Sequence, residues 1–163
     1  MTRPIIAIVA ALAAFAFGHP ASANKIVGQA SVIDGDTIEI HGQRIRLSGI
    51  DAPEAGQTCW SADKKPWRCG QEAAFALADK IGRAIVHCAP AGRDRYRRTL
   101  AQCRIGNLDL GSWLIRTGRA VRYYDRAGAY RSDEEAARAR GQGIWAGPFI
   151  KPSEWRSKRR KSL

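Results

Sequence analysis

Asp34-Gly35-Asp36-Thr37-Ile38-Glu39-Ile40-His41-Gly42-Gln43-Arg44-Ile45-Arg46-Leu47 is the stretch that decides the fold. Thr37 to Ile40 and Arg44 to Leu47 alternate polar and apolar residues, the period of half-buried strands. Ile45 and Leu47 then enter a core, while Arg44 and Arg46 share the opposite face. His41-Gly42-Gln43 reads as the hairpin turn between them. Asp34-Gly35-Asp36 reads as a tight turn, with glycine expected to supply a positive φ. Upstream, Ile26 to Val32 reads as a first strand. Downstream, Asp51-Ala52-Pro53-Glu54 ends the third, because proline cannot donate to a ladder.

Beyond this hairpin, Ala55 to Gly70 is polar and irregular. Gln71 to Ile81 reads as a helix, with Ala74, Leu77, Ala78 and Ile81 on one stripe. Ala84 to Cys88 and Thr99 to Arg104 read as a fourth and fifth strand. Leu108 to Thr117 reads as a second helix stopped by Gly118. Ser132, with Glu135 three residues on, reads as a capping box opening a third helix. Trp145, Phe149 and Trp155 are expected to fold back onto the body. Arg156 to Leu163 reads as a disordered basic tail. Five short strands with interspersed helices predict an α+β fold: a five-stranded OB-fold β-barrel with three helices. One domain spans residues 24–150, followed by a basic C-terminal tail, 151–163.

The chain has 163 residues and a formal charge of +12. Such an excess attracts polyanions through counterion release. Anionic membranes attract the same charge, so charge alone does not choose the partner. Residues 1–23 have the form of a signal peptide: Arg3, an apolar run from Ile5 to Phe17, then Ala21-Ser22-Ala23. The run is too short to span a bilayer. A secreted or periplasmic protein beginning at Asn24 is expected, without stable membrane insertion after cleavage, and as a monomer. Cys59, Cys69, Cys88 and Cys103 all follow the leader. Their even number in that compartment implies disulfides. Of the three pairings, loop and strand order favour Cys59–Cys69 and Cys88–Cys103. The absence of C-x-x-C spacing argues against zinc.

Asp36, Asp51 and Glu54 lie close in sequence to Arg46, and Arg98 follows in Asp94-Arg95-Tyr96-Arg97-Arg98. Carboxylates gather hard cations such as Ca²⁺, and arginines grip phosphate through planar forks. Together they point to metal-assisted cleavage of a phosphodiester. Each has a plainer reading alone: turn-forming aspartates, a solvated strand end, a basic loop. An EF-hand is excluded, since Ile38 and Ile45 stand where ligands belong. Tyr96, Tyr123 and Tyr124 are candidate base-stacking platforms, and equally rim or core aromatics. Neither His41, in a turn, nor His87, in a strand, has a context for acid–base work.

The joint pattern resembles the staphylococcal nuclease (thermonuclease) family: D-G-D-T at 34–37, R-x4-D-x-P-E at 46–54 and D-x-Y-x-R at 94–98. The likeness continues through Gly70-Gln71-Glu72-Ala73 to Gly143-Ile144-Trp145. It implies an OB-fold barrel and a Ca²⁺-dependent endonuclease that acts on DNA and RNA and leaves 3′-phosphate ends. It also implies roles for residues. Asp36, Asp51 and the Ala52 carbonyl would hold calcium, with Asp34 and Thr37 behind them. Arg46 and Arg98 would bind the scissile phosphate. Glu54 would hold or deprotonate the attacking water. Tyr96 and Tyr124 would contact the terminal phosphate or base. The loop around Cys59 and Cys69 and the segment beyond Trp145 are additions to the family core. Two rivals stand beside this reading. One is a non-catalytic nucleic-acid-binding OB-fold module. The other is a membrane-binding basic protein, which leaves the clustered carboxylates unexplained.

Overall fold

The computed structural model describes residues 25–162, so the expected leader lies outside the described residues. The first strand is broken in two, β1 (Ile26–Gln29) and β2 (Ser31–Asp34), at Ala30. β3 (Thr37–Ile40) and β4 (Gln43–Leu47) form the expected hairpin, pairing Ile38 with Ile45. Its turn is two residues, His41 at φ 50° and Gly42 at φ 75°. Two successive positive φ values match the right-handed twist of the flanking strands.

β5 (Ile50–Asp51) leads to a small disulfide-bounded hairpin, β6 (Cys59–Trp60) and β7 (Pro66–Trp67). Helix α1 (Cys69–Ile81) follows, then the long strands β8 (Ile85–Arg93) and β9 (Thr99–Ile105) and the short β10 (Leu108–Asp109). After α2 (Leu110–Arg116), β11 (Val121–Arg122) pairs antiparallel with β5. Helix α3 (Arg131–Ala139), a 3-10 turn at Gly143–Ala146 and α4 (Pro152–Lys161) complete the chain. The main sheet runs β1-β8-β9-β4-β3-β2, with β10 added to β9. Only the β4–β9 pair in it is parallel. The two ends of this order, β1 and β2, are joined by one residue, so the sheet curls on itself. The result is a mixed α+β half-barrel consistent with the OB-fold. The five expected strands correspond to the bent β1–β2, β3, β4, β8 and β9. The others are short additions.

Alternation places Ile38, Ile40, Ile45 and Leu47 in the core, where Leu77 and Ile81 of α1 and Leu110, Leu114 and Ile115 of α2 meet them. Each such side chain, fully buried, contributes about 1.5–3 kcal/mol. A second cluster joins Cys59, Cys69, Val121 and Ile144, with Trp145 and Phe149 packed against it. Both favoured disulfides are present, Cys59–Cys69 and Cys88–Cys103. The latter cross-links directly paired residues of β8 and β9.

The helices differ from expectation in four ways. α1 begins at Cys69, two residues early. α2 begins at Leu110, because the Asp109 carboxylate caps it by accepting the Ser112 N–H at 2.8 Å. The Ser132 capping box does not form, and α3 starts at Arg131. Tertiary contacts displace it: Tyr130 is buried, its N–H donates to Asp125 Oδ2 and its hydroxyl to Asp109 Oδ1. That anchor starts the helix before Ser132 is reached.

The fourth difference is the largest. The tail expected to be disordered is helix α4, so the helices number four among the described residues. Pro152 occupies the first turn, where its missing N–H costs nothing. Glu154 faces the positive end of the helix dipole and Lys158 to Lys161 the negative end. No helix among the described residues is long and apolar enough to cross a membrane.

Candidate active site

The turn at 34–37 is built by Asp34, whose Oδ1 accepts the Asp36 N–H at 3.0 Å. Such a side-chain turn frees Asp36 to point elsewhere. Gly35 does not supply the positive φ expected of it. Its smallness serves contact instead, since a Cβ there would lie 2.7 Å from that of Ala52 and 3.0 Å from that of Ala73. The turn is thereby pressed against the Asp51–Ala52 segment and α1.

Asp36 is buried. Its Oδ1 accepts from Arg46 Nη1 at 2.6 Å and from the Thr37 hydroxyl at 3.1 Å. Its Oδ2 accepts the Ala52 N–H at 3.0 Å. Burial outweighs the Arg46 charge and pushes the Asp36 carboxyl up to about 7. Asp51, at 0% exposure, is held where β5 pairs with β11. The other arm of Arg46, Nη2, donates to Asp51 Oδ1 at 2.7 Å. One guanidinium thus ties the two carboxylates together, as its fork geometry allows. Arg46 loses hydration by burial, yet both carboxylates raise its pKa further.

Glu54 sits at the rim, its side chain about a third exposed. Its backbone is fixed by Gln57, which is fully buried. Gln57 Oε1 accepts the Glu54 N–H at 3.3 Å and its Nε2 donates to the Ile150 carbonyl at 2.6 Å. Gln57 was not among the expected site residues; a buried amide is visible as such only in the fold.

Arg98 lines the same cleft as Asp36, Arg46 and Glu54, a space of about 1010 Å³. Asp94 organises the loop that carries it. Asp94 Oδ1 accepts the N–H groups of Tyr96 and Arg98, and Oδ2 accepts from Arg98 Nε at 2.7 Å. Burial opposes the charge, but the hydrogen bonds from Arg98 hold the Asp94 carboxyl below the usual range. Tyr96 and Tyr124 are exposed on the cleft wall. The Arg98 guanidinium stands 5.5 Å from the Tyr96 ring centre.

The residue that sequence reading missed is Arg156, on α4. Its Nη1 donates to Asp51 Oδ1 at 2.9 Å and Glu54 Oε1 at 2.7 Å, and its Nη2 to Asp51 Oδ2 at 3.0 Å. Burial disfavours its charge, but these carboxylates raise its pKa. Arg159, Arg160 and Trp155 of the same helix also line the cleft. The helix signals at Pro152 and Glu154 were legible, whereas a contact across 102 to 105 residues was not.

Among the described residues, no three His, Cys, Asp or Glu side chains are grouped so as to hold a metal on their own. A cation here would therefore draw on Asp36 and Asp51 with backbone oxygen or water. The donor set suits a hard ion, being all oxygen. It already gathers positive charge, in the form of two guanidinium groups. Ala52 meets Asp36 through its N–H.

Comparison with known proteins gives the family. The family described as staphylococcal nuclease homologue matches residues 44–147. The succinoglycan biosynthesis protein ExoI of Rhizobium meliloti is 46% identical, over 88% of this chain and 76% of that protein. An uncharacterized endonuclease of Haemophilus influenzae is 32% identical, over 77% and 69%. A micrococcal nuclease of Shigella flexneri is also 32% identical, over 77% and 76%. With a family match across more than half its length, one that takes in Arg46, Glu54 and Arg98 of the cleft, this chain belongs to the staphylococcal nuclease family.

Proposed function

We propose that the cleft hydrolyses phosphodiester bonds of DNA and RNA as a Ca²⁺-dependent, sugar-non-specific endonuclease that leaves 3′-phosphate ends. The observation that carries this reading is the junction at Arg46. A single guanidinium joined to two buried carboxylates opens onto a basic cleft shared with Arg98 and Glu54. A pure binding surface has no need to bury two acids beside a phosphate-seeking arginine.

Arg46, oriented by Asp36 and Asp51, and Arg98, oriented by Asp94, present their guanidinium groups to one phosphate. They stabilise the extra charge that develops as phosphorus becomes five-coordinate. Glu54, partly exposed, holds the attacking water or takes its proton. Thr37 and Asp34 keep Asp36 in place by the hydroxyl contact and the turn. Tyr96 and Tyr124 offer faces for splayed bases, which favours single strands. Calcium, held by Asp36, Asp51 and the Ala52 carbonyl, would neutralise phosphate charge and acidify bound water. The two disulfides and the leader-like residues 1–23 support a secreted or periplasmic site of action.

The test is degradation of denatured DNA and of RNA with calcium and then with a chelator. Cutting is expected only with calcium. Glu54→Gln and Arg98→Ala should each lower the rate by about a hundredfold or more while nucleic acid still binds. Binding without cutting by the unaltered protein would return the assignment to a binding module.

A further inference from the structure

We infer that Arg156, on the C-terminal helix α4, is an exchangeable counter-ion that competes with the divalent cation for Asp51 and so sets the cation affinity of the site. The inference rests on the calcium reading above and adds a residue outside the matched family region, 44–147.

The argument is one of acceptor capacity. A carboxylate has about four lone-pair sites, two on each oxygen. Asp51 Oδ1 already accepts from both Arg46 and Arg156, and Oδ2 accepts from Arg156. Oδ1 is therefore full and Oδ2 keeps one site, so a cation that engages both oxygens must displace a guanidinium. Arg46 is the tighter of the two: its side chain is 13% exposed and it also grips Asp36. Arg156 is 30% exposed and stands on a helix with a basic, solvent-facing end. It also holds Glu54 Oε1, the group proposed to handle water. Its departure would free Asp51 and Glu54 in one movement. Each guanidinium repels an arriving cation, so removing one favours metal. Once released, Arg156 remains on the cleft wall beside Arg159 and Arg160, where a substrate phosphate can replace the carboxylates.

The experiment measures Ca²⁺ binding to the intact protein, α4 included, by titration calorimetry without nucleic acid. Arg156→Gln should bind Ca²⁺ at least about tenfold more tightly than wild type, since one competing charge is gone. Arg156→Lys, which keeps charge but loses the fork, should fall between them. Equal or weaker binding by Arg156→Gln overturns the inference and leaves the calcium site standing. Failure of wild type, Arg156→Gln and Arg156→Lys all to bind Ca²⁺ overturns the calcium reading itself, and this inference with it. Should Arg156→Gln fail to fold, the wild-type protein still decides. NMR of its arginine side chains should show the Arg156 guanidinium rotating slowly without calcium and freely at saturation. Slow rotation that persists at saturating calcium overturns the exchange.

Discussion

Arg46 and Arg98 are the same residue type put to the cleft by different means. Arg46 is a strand residue, placed by the two-residue period of β4 so that its neighbours Ile45 and Leu47 enter the core. Its partners are buried acids, and removing it would leave Asp36 without a cationic partner and Asp51 with Arg156 alone. Arg98 is a loop residue, and its aim depends on Asp94. That dependence has a pH signature. The Asp94 carboxyl lies below its ordinary 3.8 in the folded protein. Its contribution to stability is thus fully present above that value and is lost as pH falls through the lower folded one. Asp94→Asn should flatten the fall in stability below about pH 4, read as urea midpoints across the acid range. An acid limb identical to wild type would remove Asp94 from this role.

At the scale of elements, the site depends on how closely α1 approaches the Asp51–Glu54 turn. Gly70, in the first turn of α1, has no room for a side chain: a Cβ would lie 1.7 Å from the Glu54 carbonyl oxygen. Backbone cannot yield as a flexible side chain can. Gly70→Ala should cost about 1–3 kcal/mol and lower the cleavage rate by displacing Glu54. Thermal unfolding and turnover check the two effects. Gly56→Ala is the control, because the nearest atom there is 3.9 Å away; it should leave both unchanged. Helix α4 shows a different dependence. It has few apolar residues of its own, and it docks through Arg156 on Asp51 and Glu54.

For the whole molecule, the formal charge of +12 is not spread evenly. Seven arginines line the cleft: Arg44, Arg46, Arg95, Arg98, Arg156, Arg159 and Arg160. Close ion pairs with carboxylates offset the charge of Arg46, Arg98 and Arg156, which leaves at most four, Arg44, Arg95, Arg159 and Arg160, to add net charge for a nucleic-acid chain. At about 0.7 counterions per phosphate, single-strand affinity should fall roughly fiftyfold between 50 and 200 mM salt. Fluorescence anisotropy of a labelled oligonucleotide in chelator measures this. A slope near zero would show that the charge excess does not capture substrate.

Local rules sufficed for much of this protein. Alternation alone placed Ile38, Ile45 and Leu47 inside and Arg46 outside, and the order of strands and cysteines chose the disulfides. These are properties of neighbours in the chain, so the sequence determined them by itself. Residue type and spacing singled out Asp36, Asp51, Glu54 and Arg98, and the resemblance added their roles; the fold brings Asp36, Glu54 and Arg98 to one cleft, with Asp51 buried behind Arg46. Three matters were decided only by tertiary structure. Gly35 and Gly70 serve close packing, which depends on what lies opposite them in space. The capping box at Ser132 gave way to Tyr130, whose anchor is Asp109 on another element. Arg156 reaches the site from the far end of the chain, because buried carboxylates attract the guanidinium that can reach them, whatever its distance in sequence.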